Sequence, residues 1–94
     1  MNSSLKYPVS GYTNAKIYVR STYRGNAFAS FTIKKDSTQI YSSGTPPNDT
    51  SGSKVLVNNI SYDISNSNEL IFNANDLGYN SNGGYVFDIT IELS

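Results

Sequence analysis

The chain has no His and no Cys, which removes thiol nucleophiles, disulfides, imidazole general bases and the usual ligands for zinc. Its carboxylates are Asp36, Asp49, Asp63, Glu69, Asp76, Asp88 and Glu92. Hydrolysis of a glycosidic bond needs two such groups flanking a cleft, yet these fall mostly among turn-forming residues or on the polar side of alternating runs. Asp88 and Glu92 are four residues apart on one side of an extended run, so they share a face but stand too far apart for an intimate pair. The expectation is a protein that is not an enzyme.

Asp76 with Asn75, Asn80 and Asn82 makes an oxygen-rich stretch of the kind that suits calcium, which takes carboxylate, amide and backbone oxygens. The spacing of a dedicated calcium loop is absent, and Asn and Gly serve equally well to supply left-handed turn conformations. Asp76 is thus a weak metal candidate, and no cofactor other than calcium is considered. Eight Tyr without a Trp offer a different chemistry. Tyr62 and Tyr85 fall on core-type positions, whereas Tyr18, Tyr41 and Tyr79 fall on polar faces or in a loop. A tyrosine ring can lie on the C–H face of a sugar while nearby amides and charges take its hydroxyls. That chemistry nominates Tyr41, Tyr79, Asn80, Asn82 and Arg24 as ligand-binding residues; the same tyrosines could simply pair across strands.

These residues need elements to position them. Over residues 15–23, Ala15, Ile17, Val19, Ser21 and Tyr23 alternate with Lys16, Tyr18, Arg20 and Thr22, the two-residue period of a half-buried strand. After the turn signal Arg24-Gly25-Asn26, Ala27, Ala29, Phe31 and Ile33 alternate with Phe28, Ser30, Thr32 and Lys34. Lys35-Asp36-Ser37-Thr38 predicts a tight hairpin turn into a strand over residues 39–43. Residues 42–53, with Gly44, Pro46 and Pro47, read as a long surface loop in which the prolines act as a rigid spacer. Val55, Val57, Ile60, Tyr62 and Ile64 predict one bent strand or two short ones, kinked at Asn58-Asn59. Ser65-Asn66-Ser67-Asn68 is a turn. Leu70, Phe72 and Ala74 mark another strand, residues 75–84 a second long loop, and Tyr85, Phe87, Ile89, Ile91 and Leu93 the face of a last strand. Residues 1–14 read as an N-terminal arm with a short strand near residues 5–9, and residues 15–94 as the domain.

At 94 residues a second independent core is not expected. Strands at spacings of about eight to twelve residues predict an all-β, antiparallel, two-sheet β-sandwich of about six to eight strands. Seven Lys and Arg balance seven Asp and Glu with no run of like charge, which argues against nucleic acid or a membrane as partner. Arg20, Arg24, Lys34 and Lys35 form either a local patch or solvated strand edges. The start Met1-Asn2-Ser3-Ser4-Leu5-Lys6 lacks the pattern of a secretory signal, and no stretch reaches the roughly 20 apolar residues of a membrane span. The localisation expected is intracellular, exported by another route, or released by lysis as part of a particle.

From Gly25 to Leu93 the order of features resembles the small jelly-roll carbohydrate-binding modules found beside glycosidases and on phage adhesion devices. The residues that carry the likeness begin with Ala27-Phe28-Ala29-Ser30-Phe31-Thr32-Ile33. They lead into Lys35-Asp36-Ser37-Thr38-Gln39-Ile40-Tyr41-Ser42-Ser43, with Ser37 where the family hairpin has Gly. Lys54-Val55-Leu56-Val57 through Ile64, Asn68-Glu69-Leu70-Ile71-Phe72 and Asp76-Leu77-Gly78 follow in the family's order. The resemblance implies a jelly-roll-like sandwich and non-catalytic binding of a glycan or cell-surface polysaccharide through loops at one end. The alternative expectation is a structural or accessory protein of a phage-type assembly, acting as a homo-oligomer through sheet edges or the N-terminal arm rather than through sugar binding.

Overall fold

Alternation of apolar and polar residues becomes strand wherever the sequence shows it. The computed structural model describes residues 3–24, 28–44, 52–78 and 84–94, with the backbone alone at Arg24, Phe28, Asp76, Leu77 and Gly78. The strands are β1 (Ser3–Pro8), β2 (Asn14–Arg24), β3 (Phe28–Lys35), β4 (Thr38–Ser42), β5 (Gly52–Asp63), β6 (Glu69–Gly78) and β7 (Gly84–Leu93). They form two antiparallel sheets, one in the order β1-β6-β3-β4 and one in the order β5-β2-β7. The molecule is therefore the two-layer all-β sandwich that the periodicity predicts. Every connection passes from one sheet to the other except the β3–β4 hairpin.

The core lies where the two inner faces meet. Ala15, Ile17, Val19, Ser21 and Tyr23 of β2 are buried, as are Ala29, Phe31 and Ile33 of β3 and Leu70, Phe72 and Ala74 of β6. Phe31 of one sheet stacks on Phe87 of the other at 4.6 Å between centroids, and Tyr23 meets Phe87 edge-on at 6.2 Å. Such pairs add about 0.5–1.5 kcal/mol beyond the apolar area they bury. The two polar groups carried inward by β2 are satisfied: Ser21 Oγ donates to the Lys54 carbonyl at 3.3 Å and Tyr23 Oη to the Ala29 carbonyl at 2.8 Å.

The predicted N-terminal arm is built into the larger sheet over its described residues. Ser3 lies opposite Ala74 and Pro8 opposite Glu69, and Val9 follows into the core with no exposed surface. The kink expected at Asn58-Asn59 is a bulge: opposite the step Ile17 to Val19, β5 runs from Ile60 to Val57, one residue longer. Asn59 takes a φ of 54° there, a left-handed conformation that Asn tolerates better than most residues. A second shift opposite Val19 and Arg20 inserts Leu56. Two bulges change which side chains point inward, so Val57 and Ile64 are buried while Val55 and Ile60 are 42% and 47% exposed.

Candidate functional site

The five nominated residues are not gathered by the described structure. Tyr79, Asn80 and Asn82 lie outside the described residues, as does the Arg24 side chain; the Arg24 backbone ends β2 opposite Gly84. Tyr41 sits on the inner face of the larger sheet, opposite Ile33, and its ring packs half-buried against the core. The sequence expectation of a polar-face Tyr41 fails because of a register shift. Between Ile33 and Lys34, β4 spends one extra residue, Ile40, so that Ile40 and Tyr41 both contact the core. Burial pushes the Tyr41 hydroxyl above the usual tyrosine value, with Tyr62 and Tyr23 close enough to add to the effect. Burial raises Tyr62 and Tyr23 likewise. Asp76, the calcium candidate, has its backbone in β6 opposite Ala29, and its side chain is outside the described set.

The opposite end of the sandwich carries a cleft that no sequence signal marks. Gly78, Gly84 and Gly52 pair with Phe28, Arg24 and Tyr23, so these ends of β2, β3, β5, β6 and β7 lie together at one end. The other end is closed by the short connections 10–13, 36–37 and 64–68. Between the first and last of these lies a cleft of about 440 Å³ lined by Ser10, Gly11, Tyr12, Thr13, Ser65, Asn66, Ser67 and Asn68. None of the eight lining residues is charged.

Its walls are cross-linked. Val9 N–H donates to the Asn68 carbonyl and Ile64 N–H to the Thr13 carbonyl, both at 3.0 Å, while Thr13 N–H donates to the Ser94 carbonyl at 3.0 Å. Ser10 Oγ donates to Asn68 Oδ1 at 3.3 Å across the cleft. From behind, the Asp36 carboxylate accepts the backbone N–H groups of Asn68 and Glu69, each at 3.1 Å. At the cleft's edge, Asp63 Oδ1 accepts the Ser65 hydroxyl at 2.7 Å and its backbone N–H at 2.9 Å. Those two bonds hold the Asp63 carboxyl below its ordinary value, with Lys35 a lesser contributor. Two carboxylates that could have served chemistry are thus used to fix turns.

Three of the lining residues are less engaged. Tyr12 is 44% exposed, and Asn66 stands at the left-handed apex of its turn with a φ of 61°. Ser67 is only 7% exposed, and its hydroxyl has no hydrogen-bond partner among the described residues, an unusual state for a buried polar group. Tyr12, Asn66 and Ser67 therefore line one uncharged cleft whose walls are tied by hydrogen bonds. The sequence shows Ser65-Asn66-Ser67-Asn68 as a turn, but which turns share an end depends on strand pairing, and that is not readable locally. Among the described residues no three His, Cys, Asp or Glu side chains cluster closely enough to hold a metal.

Compared with known proteins, the chain matches no protein-family model, no curated protein and no solved structure. The likeness to carbohydrate-binding modules rests on the sequence features alone.

Proposed function

We propose that the chain is a non-catalytic carbohydrate-binding and adhesion module that takes a neutral surface glycan in the cleft between residues 10–13 and 65–68. The observation that carries this reading is an uncharged cleft lined by the exposed Tyr12, by Asn66 and by Ser67, whose hydroxyl has no partner among the described residues, on walls already fixed by backbone hydrogen bonds. A saccharide presents an apolar C–H face and a rim of hydroxyls, so it needs an aromatic surface and a few uncharged donors and acceptors. The absence of charge in the lining favours a neutral sugar over an acidic one. Pre-fixed walls lower the ordering entropy that binding has to overcome.

A glycan array probed with multivalent protein tests the reading, followed by the same array with variants. Tyr12→Ala is expected to weaken retention of the preferred neutral glycan at least about tenfold, or ~1.4 kcal/mol, while Tyr12→Phe keeps most of it because the ring remains. Asn66→Gly preserves the left-handed turn and removes the amide, and is expected to weaken binding as well. If Tyr79→Ala or Arg24→Ala abolishes binding while Tyr12→Ala leaves it intact, the ligand is held by those residues and the cleft assignment is wrong. An array without any bound glycan overturns the function itself.

A further inference from the structure

Four strands form the edges of the two sheets, and three of them carry features that discourage pairing with another chain. β1 has Lys6 and Pro8, β4 has only five residues and a register shift, and β5 has Lys54 and two bulges. β7 has none of these. It pairs with β2 in unbroken register from Leu93 opposite Ala15 to Gly84 opposite Arg24, with no Pro, Lys or Arg along its ten residues. Its other side has no strand partner among the described residues.

The backbone of that side can be read from one pair. Asn14 and Ser94 exchange both hydrogen bonds, at 3.1 and 3.0 Å. Bonded pairs alternate in an antiparallel ladder, so Glu92, Thr90 and Asp88 are also turned to β2. The N–H and C=O groups of Phe87, Ile89, Ile91 and Leu93 then face outward along the edge. The inner side chains of the same four residues are only half-buried, although they pack against the core. A groove of about 250 Å³ runs there between the sheets, lined in part by Leu5, Phe72, Phe87 and Ile89; Leu5 and Val86 are 52% and 58% exposed. The smaller sheet is short of one strand at the place where the larger sheet extends to β1.

We infer that the missing strand is β7 of a second copy of this chain, paired antiparallel about a two-fold axis at Ile89. The charges select the register. With Ile89 on the axis, Phe87 lies opposite Ile91 of the partner, and on the outer face Asp88 lies opposite Thr90 and Val86 opposite Glu92. Moving the axis to Asp88 sets Asp88 against Asp88, and moving it to Thr90 sets Asp88 against Glu92. Like charges directly opposite each other are unfavourable, so only the Ile89 register among these three is free of them. In that register Asp88 and Glu92 keep their own cross-strand cations, Arg20 and Lys16. Lys16 Nζ is 3.9 Å from Glu92 Oε2. Phe87, Ile89 and Ile91 alone exchange about six backbone hydrogen bonds with the partner copy. The outcome is a closed, isologous dimer with a continuous six-stranded sheet across both copies, and it stands independently of the glycan reading.

Thr90 lies on the exposed outer face of β7, so its substitution tests the register without touching the core. Sedimentation velocity across a concentration series is expected to show the intact chain as a reversible dimer of twice the chain mass. Thr90→Asp places a carboxylate opposite the partner's Asp88 twice per dimer and is expected to raise the dimer Kd about tenfold. Thr90→Lys is expected to lower it. Hydrogen exchange of the Phe87, Ile89 and Ile91 amides slows as protein concentration rises. A strict monomer at every concentration overturns the inference, and so does a dimer indifferent to both Thr90 variants.

Discussion

Asp63 shows how a side chain that could do chemistry is turned to architecture. Its carboxylate is held by the Ser65 hydroxyl and amide, which favours the ionised form in the fold and lowers the folded value beneath the ordinary one. A depressed folded pKa contributes stability that is complete above the unfolded value and is lost as the pH falls through the folded value. The turn of residues 65–68 is thus expected to loosen on acidification below the usual carboxylate range, and glycan affinity to fall with it. Asp63→Asn keeps an acceptor for Ser65 without the titration, so affinity measured against pH should lose this acid limb; an identical limb in both proteins contradicts the role given to Asp63. At this scale the sequence is partly legible. The inward set on β2, Ala15 through Tyr23, is readable because one regular strand imposes one period. Tyr41 is not, because Ile40 inserts a residue that no propensity signals. Tyr12, Asn66 and Ser67 are visible as turn residues, but nothing local joins residue 12 to residue 67.

Elements show the same division. β2, β3, β6 and β7 follow their alternation because β2 and β7 share an unbroken ladder and β3 and β6 one that is regular from Ala29 to Lys35. β5 departs from it, and its kink is legible in Asn58-Asn59 while its second shift at Leu56 is not. Asn59 at a φ of 54° makes a direct prediction. Asn59→Ala is expected to destabilise by about 1 kcal/mol, since an ordinary side chain resists the left-handed region, while Asn59→Gly is expected to be near neutral. Urea denaturation of the two variants measures this, and equal midpoints for Ala and Gly contradict it. The β3–β4 turn was readable as a turn from Asp36-Ser37. Its second service, bracing Asn68 and Glu69 from across the end of the sandwich, follows only from the order in which β3 lies beside β6.

The whole molecule is elongated, 42 × 21 × 17 Å, with tightly bonded short connections at one end. The sequence directs attention to the long connections, rich in Asn, Gly and Tyr, because such composition is the visible mark of a loop. The described geometry directs it to the short ones, where cross-linking backbone hydrogen bonds, the exposed Tyr12 and a Ser67 hydroxyl without a partner among the described residues coincide. In the proposed two-fold dimer the antiparallel β7 strands would set the two clefts at opposite ends of the pair, which would let one dimer join two glycan chains if each cleft binds as proposed. The most direct test of the central claim is a backbone amide NMR titration with a neutral oligosaccharide chosen from the array. The account predicts shifts concentrated at residues 10–13 and 65–68. Shifts confined to residues 24–28 and 78–84, or none at saturating ligand, contradict it.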